Sequence, residues 1–287
     1  MKTLAQLTGM KAWSLKRTCN LNVEQQPLEL IEMAIPSIGK RDILVRISCC
    51  GVCHTELDEI EGRLPARLPV VPGHQVVGIV ERIGEDCTLF KLGDRVGISW
   101  IFSACGHCEL CNTGRENLCS DFRATGKDAN GGYAEFIRVH EDFACSIPHS
   151  ITDTQAAPMF CAGAIGYRAL KLTTIHDGQS LGLSGFGASG HLVLKMAKHL
   201  LPKSEVFVFS RTPQDRSFAE SLGATWTGTF DQQPPQLLDA IIDTTPAWLP
   251  ITRSLAALKP GGRLVVNAIR KESADIAALG SLSYEKH

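Results

Sequence analysis

The sequence has no excess of charge of either sign. Its 287 residues include 29 Lys and Arg against 30 Asp and Glu, which gives a formal net charge of −1. This balance provides no electrostatic reason to expect nucleic acid or an acidic membrane surface as a partner. No apolar run approaches the roughly 18–20 residues that a membrane span requires. We therefore expect a globular protein, long enough for two domains of ordinary size.

The N-terminal stretch "MKTLAQLTGMKAW" also lacks an apolar core followed by a small-residue cleavage site. We therefore expect no secretory signal and a cytoplasmic location. Thiols stay reduced in the cytosol, so the eleven cysteines do not indicate a disulfide framework, and clustered ones indicate metal binding or catalysis. The cysteines outside such clusters are expected to be small buried apolar residues, namely Cys19, Cys49, Cys50, Cys87 and Cys145.

The pattern of the chain changes near residue 152. Before it, short β-branched runs such as "DILVRISC" and "QVVGIVERI" alternate with glycine and proline, which predicts a β-rich, barrel-like module. After it, strand-like and helix-like segments alternate, including a predicted helix over "WLPITRSLAALKPGG", which predicts a doubly wound parallel sheet. The predicted domains are residues 1–155 and 156–287.

Four cysteines lie close together in "ACGHCELCNTGRENLCS". Cys105, Cys108, Cys111 and Cys119 follow the spacing C-x2-C-x2-C-x7-C. Four thiolates can close a tetrahedron around one zinc ion and leave no position open for a substrate. An iron–sulfur cluster is the competing metal interpretation, although the common ferredoxin run has a shorter final gap, and free thiols are a further alternative. The spacing therefore favours a zinc that stabilises a loop.

A glycine-rich turn follows the first predicted strand of the second domain. Gly185, Gly187 and Gly190 form G-x-G-x-x-G at the start of a helix, with Ser189 inside the motif. In that context the pattern is typical of a dinucleotide-binding turn, in which amides at the helix start face the pyrophosphate. A structural turn without a ligand is the alternative.

The next predicted strand ends in Ser210 and Arg211. An NAD-binding chain would have an acidic residue there for the ribose 2′-hydroxyl. A hydroxyl and a guanidinium suit a 2′-phosphate, and the sequence shows no carboxylate at that strand end to repel one. This favours NADP(H) over NAD(H), the alternative being that Arg211 is an ordinary solvated arginine.

Six motifs occur in the order found in zinc-dependent medium-chain alcohol dehydrogenases, which the sequence resembles from about Met10 to about residue 270. They are "GVCHTELD", "PGHQVVG", the four-cysteine segment, "NGGYAEF", "CAGAIGYRAL" and the glycine-rich turn. Within that family the sequence is similar to bacterial and yeast-type enzymes that act on primary alcohols and aldehydes. The resemblance implies a GroES-like catalytic domain, a Rossmann cofactor domain, two zinc ions per chain and a homo-oligomer of two or four subunits.

The resemblance also assigns residues. It makes Cys53, His74 and Cys161 the ligands of a catalytic zinc, since two thiolates and an imidazole leave a fourth position open for an alcohol oxygen. Thr55 resembles the family's proton-relay hydroxyl, and His54 resembles the residue that contacts the cofactor pyrophosphate. An ordinary polar loop residue and a surface histidine are the respective alternatives.

Further positions depart from the family pattern or line its pocket. Glu56 replaces an aspartate that supports the ligand histidine, and Gln75 replaces a glutamate after that histidine, so the rate is in question while zinc binding is expected to survive. Trp100 and Leu64 are expected to line a pocket with room for somewhat more than ethanol, although a core position for Trp100 is the alternative.

The resemblance further implies that residues 1–9 extend beyond the usual start and that family members run on past "SLSYEKH". We therefore expect a chain without the family's C-terminal segment. The predicted function is hydride transfer between a primary alcohol or aldehyde and NADP(H). The alternatives are the same chemistry with NAD(H), or a zinc- and nucleotide-binding protein without catalysis.

Overall fold

The computed structural model describes residues 9–268, and it divides into two compact units between Cys161 and Ala162. The sequence pattern places this boundary after residue 155. The predicted N-terminal extension, up to residue 8, and the chain end from residue 269 lie outside the described residues.

The first unit is built on an antiparallel sheet. Its strands are β3 (Asp42–Cys50), β4 (Val76–Ile83), β5 (Arg95–Ile98), β8 (Phe136–His140) and β9 (Ala144–Ser146). They pair in the order β8-β3-β4-β5-β9, and their β-branched residues form one buried cluster that includes Val45, Val80 and Val96. Such residues fit a pleated surface with one buried face. The predicted β-rich module is confirmed.

Smaller elements complete this unit. Two further antiparallel pairs join β1 (Met10–Ser14) to β2 (Glu29–Met33) and β6 (Ile101–Ser103) to β7 (Arg123–Ala124). The α-helices of residues 9–161 are short, namely α1 (His54–Ile60), α2 (Glu109–Asn112) and α3 (Asp153–Ala156).

The first unit ends in a short helix followed by a 3₁₀ turn. Helix α3 begins with a capping box, because the Thr152 hydroxyl accepts from the Gln155 N–H and the Gln155 side chain accepts from the Thr152 N–H. A 3₁₀ turn at Ala157–Phe160 follows, and Cys161 then leaves helical geometry at φ −132° and ψ −84°. Cys161 therefore ends the helical part of this unit.

The second unit is a parallel sheet with helices between its strands. The strands are β10 (Leu181–Ser184), β11 (Val206–Phe209), β12 (Trp226–Gly228), β13 (Leu238–Asp243) and β14 (Leu258–Val266). The helices are α4 (Ala162–Thr173), α5 (Ala188–Leu200), α6 (Pro213–Ser221) and α7 (Leu249–Ala256). The order β12-β11-β10-β13-β14 reverses direction at β10, which creates a crevice between the carboxyl ends of β10 and β13.

Both faces of this sheet are covered. In β11, Val206 and Val208 belong to one buried cluster, whereas Phe207 and Phe209 belong to another. This alternation explains why the strand is apolar throughout. The predicted Rossmann fold is confirmed.

Two local predictions are wrong. The helix expected over "WLPITRSLAALKPGG" ends at Ala256, and β14 begins at Leu258 because the chain pairs with β13 there. Cys145 is exposed on the edge strand β9 instead of buried, and the other four cysteines of that group are only partly buried.

Candidate metal and cofactor sites

Cys53 lies where β3 passes into α1. It is the residue that precedes the helix, in extended geometry, and its backbone N–H donates to Glu56 Oε2 over 2.8 Å. This capping contact holds the start of the helix and, with it, the Cys53 thiol.

His74 is 1% exposed in the segment before β4. Its Nδ1 lies 2.6 Å from Glu56 Oε1, and its ring meets the Trp100 ring edge-on, with centroids 5.1 Å apart. Glu56 therefore contacts both Cys53 and His74, so its longer side chain reaches the histidine. Gln75, the other departure from the family pattern, is buried and packs near Gly51.

Cys161 completes a cluster of three donors, all within the first unit. Its Sγ lies 3.8 Å from Cys53 Sγ, and one donor atom from each of Cys53, His74 and Cys161 falls within 4.8 Å of the others. Zn–S bonds of about 2.3 Å in a tetrahedron put two sulfurs about 3.8 Å apart. The spacing and the chemistry of the donors fit a zinc ion.

A hydrogen bond joins the two thiols of this cluster and shifts their pKa values in opposite directions. Donation from Cys161 lowers the pKa of Cys53 to about 3 despite its burial, and the same hydrogen bond raises the pKa of Cys161. Burial alone would lower the pKa of His74, but hydrogen bonds to Cys53 and Glu56 outweigh it and raise this pKa to about 9. Metal binding would release these protons, because the ligands must be deprotonated.

The remaining predicted residues differ in burial and in their contacts. Thr55 is half-buried, with Oγ1 3.5 Å from Cys53 Sγ. His54 is exposed at the first position of α1. Leu64 is half-buried in the loop after α1, where its N–H donates to Asp58 O over 3.0 Å. The roles of these three residues stay predictions.

Sequence reasoning missed Glu59. It lies one turn after Glu56 on the same face of α1 and is 1% exposed, and neither of its carboxylate oxygens has a hydrogen-bond partner among the described residues. Burial, together with the charge of Glu56, raises the pKa of Glu59 to about 8. In the sequence alone, an acidic residue within "TELDEIEG" cannot be distinguished from a solvent-exposed residue of a helix. The i, i+3 spacing from Glu56 was the available signal.

The four-cysteine segment forms a second cluster. Cys111 Sγ lies 3.5 Å from Cys108 Sγ and 3.8 Å from Cys105 Sγ, and the sulfurs of these three and Cys119 fall within 4.8 Å of one another. Backbone N–H groups at His107 and Cys108 lower the pKa of Cys105 to about 6. Four sulfurs at this spacing fit a closed tetrahedral zinc site.

The glycine-rich turn joins β10 to α5. Gly185 has φ +87°, which favours glycine, and a Cβ at Gly190 would lie 2.5 Å from Gly185 O, so the helix packs directly on the turn. A Cβ at Gly187 would meet no protein atom within 4 Å, and no side chain caps the helix there. This leaves room beside the N–H groups of the first turn of α5, where Ser189 also lies, for the phosphates of a dinucleotide.

A carboxylate of α6 lies beside the end of β11, where the sequence pattern predicted none. The buried Ser210 hydroxyl donates to Asp215 Oδ2 over 2.8 Å. Arg216 Nη1 donates to the carbonyl oxygens of Ser210 and Arg211, over 2.8 and 3.0 Å. The expectation that no carboxylate lies at this strand end is therefore wrong, because α6 folds Asp215 back onto it. Helix α6 also places Arg216, a second guanidinium group, near the exposed Arg211.

Comparisons with known proteins agree with this arrangement. Residues 39–149 match the family model described as "Alcohol dehydrogenase GroES-like domain". A probable alcohol dehydrogenase, AdhA, of Mycobacterium tuberculosis is 38% identical over 100% of this chain and 82% of its own length. An alcohol dehydrogenase of Geobacillus stearothermophilus is 44% identical over 61% of this chain, and that match spans 53% of the relative.

A solved structure is similar as well. The CAD from Helicobacter pylori complexed with NADP(H) superimposes with a TM-score of 0.83 at 26% identity, over 92% of this chain and 76% of that one. The GroES-like sheet and the Rossmann sheet define an oxidoreductase of the medium-chain dehydrogenase/reductase type. More narrowly, the chain belongs to the zinc-type medium-chain alcohol dehydrogenase family. Among residues 9–268, no helix is both long and apolar enough to cross a membrane.

Proposed function

We propose that this protein is a zinc-dependent oxidoreductase that transfers a hydride between a primary alcohol or its aldehyde and NADP(H). The observation that carries the proposal is the three-donor cluster of Cys53, His74 and Cys161, whose spacing fits zinc and leaves a fourth position for a substrate oxygen. When bound there, zinc supplies Lewis-acid chemistry that polarises that oxygen.

Residues around the cluster orient its ligands and line the space for a substrate. Because Nδ1 of His74 faces the Glu56 carboxylate, that nitrogen holds the proton and Nε2 keeps its lone pair for a metal. The Trp100 ring beside His74 provides an apolar wall, which favours the hydrocarbon part of an alcohol over water. The Thr55 hydroxyl, close to Cys53 Sγ, is the group that would accept the alcohol proton. Leu64 and His54 keep their expected roles in the pocket and at the pyrophosphate.

The four-cysteine cluster is proposed to hold a second zinc without a role in turnover. All four of its ligands are protein sulfurs, so no position remains for a substrate. Its function is to fix the segment between β6 and β7, whose regular structure is limited to α2 and a 3₁₀ turn.

The preference for NADP(H) rests on charge. Arg211 and Arg216 place two guanidinium groups at the end of β11, and arginine binds phosphate in a bidentate manner. The NADP(H) complex of the Helicobacter pylori relative supports this choice. Asp215 favours the alternative, because a carboxylate near the strand end can accept the ribose 2′-hydroxyl of NAD(H).

The test is oxidation of a panel of primary alcohols with NADP or NAD, followed at the absorbance band of the reduced cofactor, together with metal analysis. We expect two zinc ions per chain and faster turnover with NADP. Turnover with neither cofactor despite two bound zinc ions would support the non-catalytic alternative. Sedimentation of the same sample would test the expected homo-oligomer.

Two cysteine variants separate the proposed metal sites. Cys161→Ser should abolish turnover and lose one zinc ion while the fold is retained. Cys111→Ser should lose the other zinc and lower the thermal midpoint, because regular structure in the segment around it is limited to α2 and a 3₁₀ turn. Equal effects of the two substitutions on turnover and stability would contradict the division of roles.

A further inference from the structure

The first unit contains a cleft that is separate from both cysteine clusters. Its volume is about 560 Å³, and its walls come from β1, the residue 67–70 segment, β7, the residue 128–131 segment and β8. None of the cysteines or the histidine of the two clusters lines it. The volume is within the range of small-molecule sites, which is about 300–1,000 Å³.

Three arginines line this cleft. Arg67 is exposed, and its guanidinium has no hydrogen-bonding or ion-pair partner within residues 9–268. Arg123 is held in place, because Nη2 donates to Asp128 O over 2.8 Å and the guanidinium lies 5.7 Å from the centre of the Phe102 ring. Arg138 Nη1 lies 3.3 Å from Asp42 Oδ2. The cleft therefore has three cationic groups, and Arg67 is the one whose guanidinium has no protein partner among the described residues.

The acidic and amide groups of the lining do not cancel this charge. Asp128 Oδ1 lies 2.6 Å from Lys127 Nζ, and Oδ2 accepts from the Ala124 N–H over 2.9 Å, so this carboxylate is already balanced. Asn130 Oδ1 accepts from the Val71 N–H, which leaves its amide N–H groups as donors. The polar part of the lining consequently offers donors and positive charge.

The rest of the lining is apolar. Pro69 is exposed, Leu68 and Ala134 are half-buried, and Phe102 lies beneath the Arg123 guanidinium. An inorganic ion alone would leave this surface uncovered, whereas a ligand with a hydrocarbon or aromatic body would bury it.

We propose that this cleft binds a small organic anion, with a carboxylate or phosphate group at Arg67, Arg123 and Arg138 and an apolar body on the surface formed by Leu68, Pro69 and Ala134. Guanidinium groups bind such anions through paired N–H donors, and two of the three are already positioned by contacts to the protein.

The experiment is isothermal titration of the full, zinc-loaded chain with 2-naphthoate at low salt, with NADP(H) present at saturation to occupy the nucleotide site. The neutral isostere 2-naphthamide tests the charge, and inorganic phosphate tests the anion without an apolar body. We expect one naphthoate per chain, bound at least about tenfold more tightly than either control.

Matched variants locate the site. Arg67→Glu should weaken naphthoate binding at least about tenfold, because it replaces an attraction with a repulsion. Arg17→Glu, at an exposed arginine outside the cleft, should leave the affinity unchanged. Cys161→Ser should also leave it unchanged, which separates the cleft from carboxylate binding at the proposed catalytic metal. If Arg67→Glu does not fold, Arg67→Ala and Arg123→Gln should each weaken binding.

Several results would overturn the proposal. Naphthoate would show no saturable binding, or naphthamide would bind as tightly as naphthoate. Alternatively, the affinity for naphthoate would survive Arg67→Glu but be lost in Cys161→Ser. A change of sedimentation coefficient in Arg67→Glu without any naphthoate binding to the wild type would assign the cleft to a second copy of the chain and would also overturn it.

Discussion

The buried, unpartnered carboxyl group of Glu59 predicts a specific dependence of stability on pH. Its pKa is about 8 in the folded chain, against an ordinary value of 4.5. Between these values the unfolded chain has released the proton while the folded chain still holds it. Stability therefore falls as the pH rises from 4.5 to 8. One pKa unit corresponds to about 1.4 kcal/mol, so the loss from this group is about 3 kcal/mol at pH 7.

Glu59→Gln keeps the shape of the side chain and removes the titration. The variant should have nearly the same free energy of unfolding as the wild type near pH 4.5, and should be more stable by about 3 kcal/mol at pH 7. The measurement is urea unfolding of both proteins in zinc-containing buffer at intervals from pH 4.5 to pH 8, compared at each pH so that effects shared by both cancel.

Glu85→Gln is the matched control. Glu85 forms a surface ion pair with Lys40 over 2.8 Å, and its side chain is 68% exposed, so the substitution should change stability little at any pH in this range. A difference between Glu59→Gln and the wild type that does not grow with pH would refute the reasoning. So would a wild-type protein that becomes more stable than the variant at pH 8.

Three further predictions concern the metal and cofactor sites. Glu56→Gln should weaken zinc affinity about 10- to 100-fold through loss of the charged contact to His74, the proposed ligand, measured by competition with a chelator; an unchanged affinity would contradict the proposed role of Glu56. Arg211→Ala should raise the KM for NADP much more than for NAD, and Asp215→Asn should lower the KM for NADP; equal effects on the two cofactors would argue against 2′-phosphate binding. Gly187→Ala should fold normally but bind dinucleotide more weakly, whereas Gly190→Ala should lower the thermal midpoint, because its Cβ would meet backbone.

The fold class and the four-cysteine cluster could be predicted from the sequence. The change from period-two runs to alternating strands and helices is a local pattern, and it gave the two kinds of sheet. Cys105 to Cys119 are close in the chain, so their spacing alone restricts them to one site. The glycine-rich turn was recognisable for the same reason, since all of its conformational requirements lie within six residues.

Local sequence could not define the three-donor cluster or its surroundings. Cys53 and Cys161 are separated by 108 positions, and a family resemblance alone suggested that they meet. The sequence pattern likewise did not reveal that α6 returns Asp215 to the end of β11. The burial of Glu59 depends on which face of α1 packs inward, and the three arginines of the cleft come from three separate segments. Such proximities arise from packing between distant segments, so only the tertiary structure decided them.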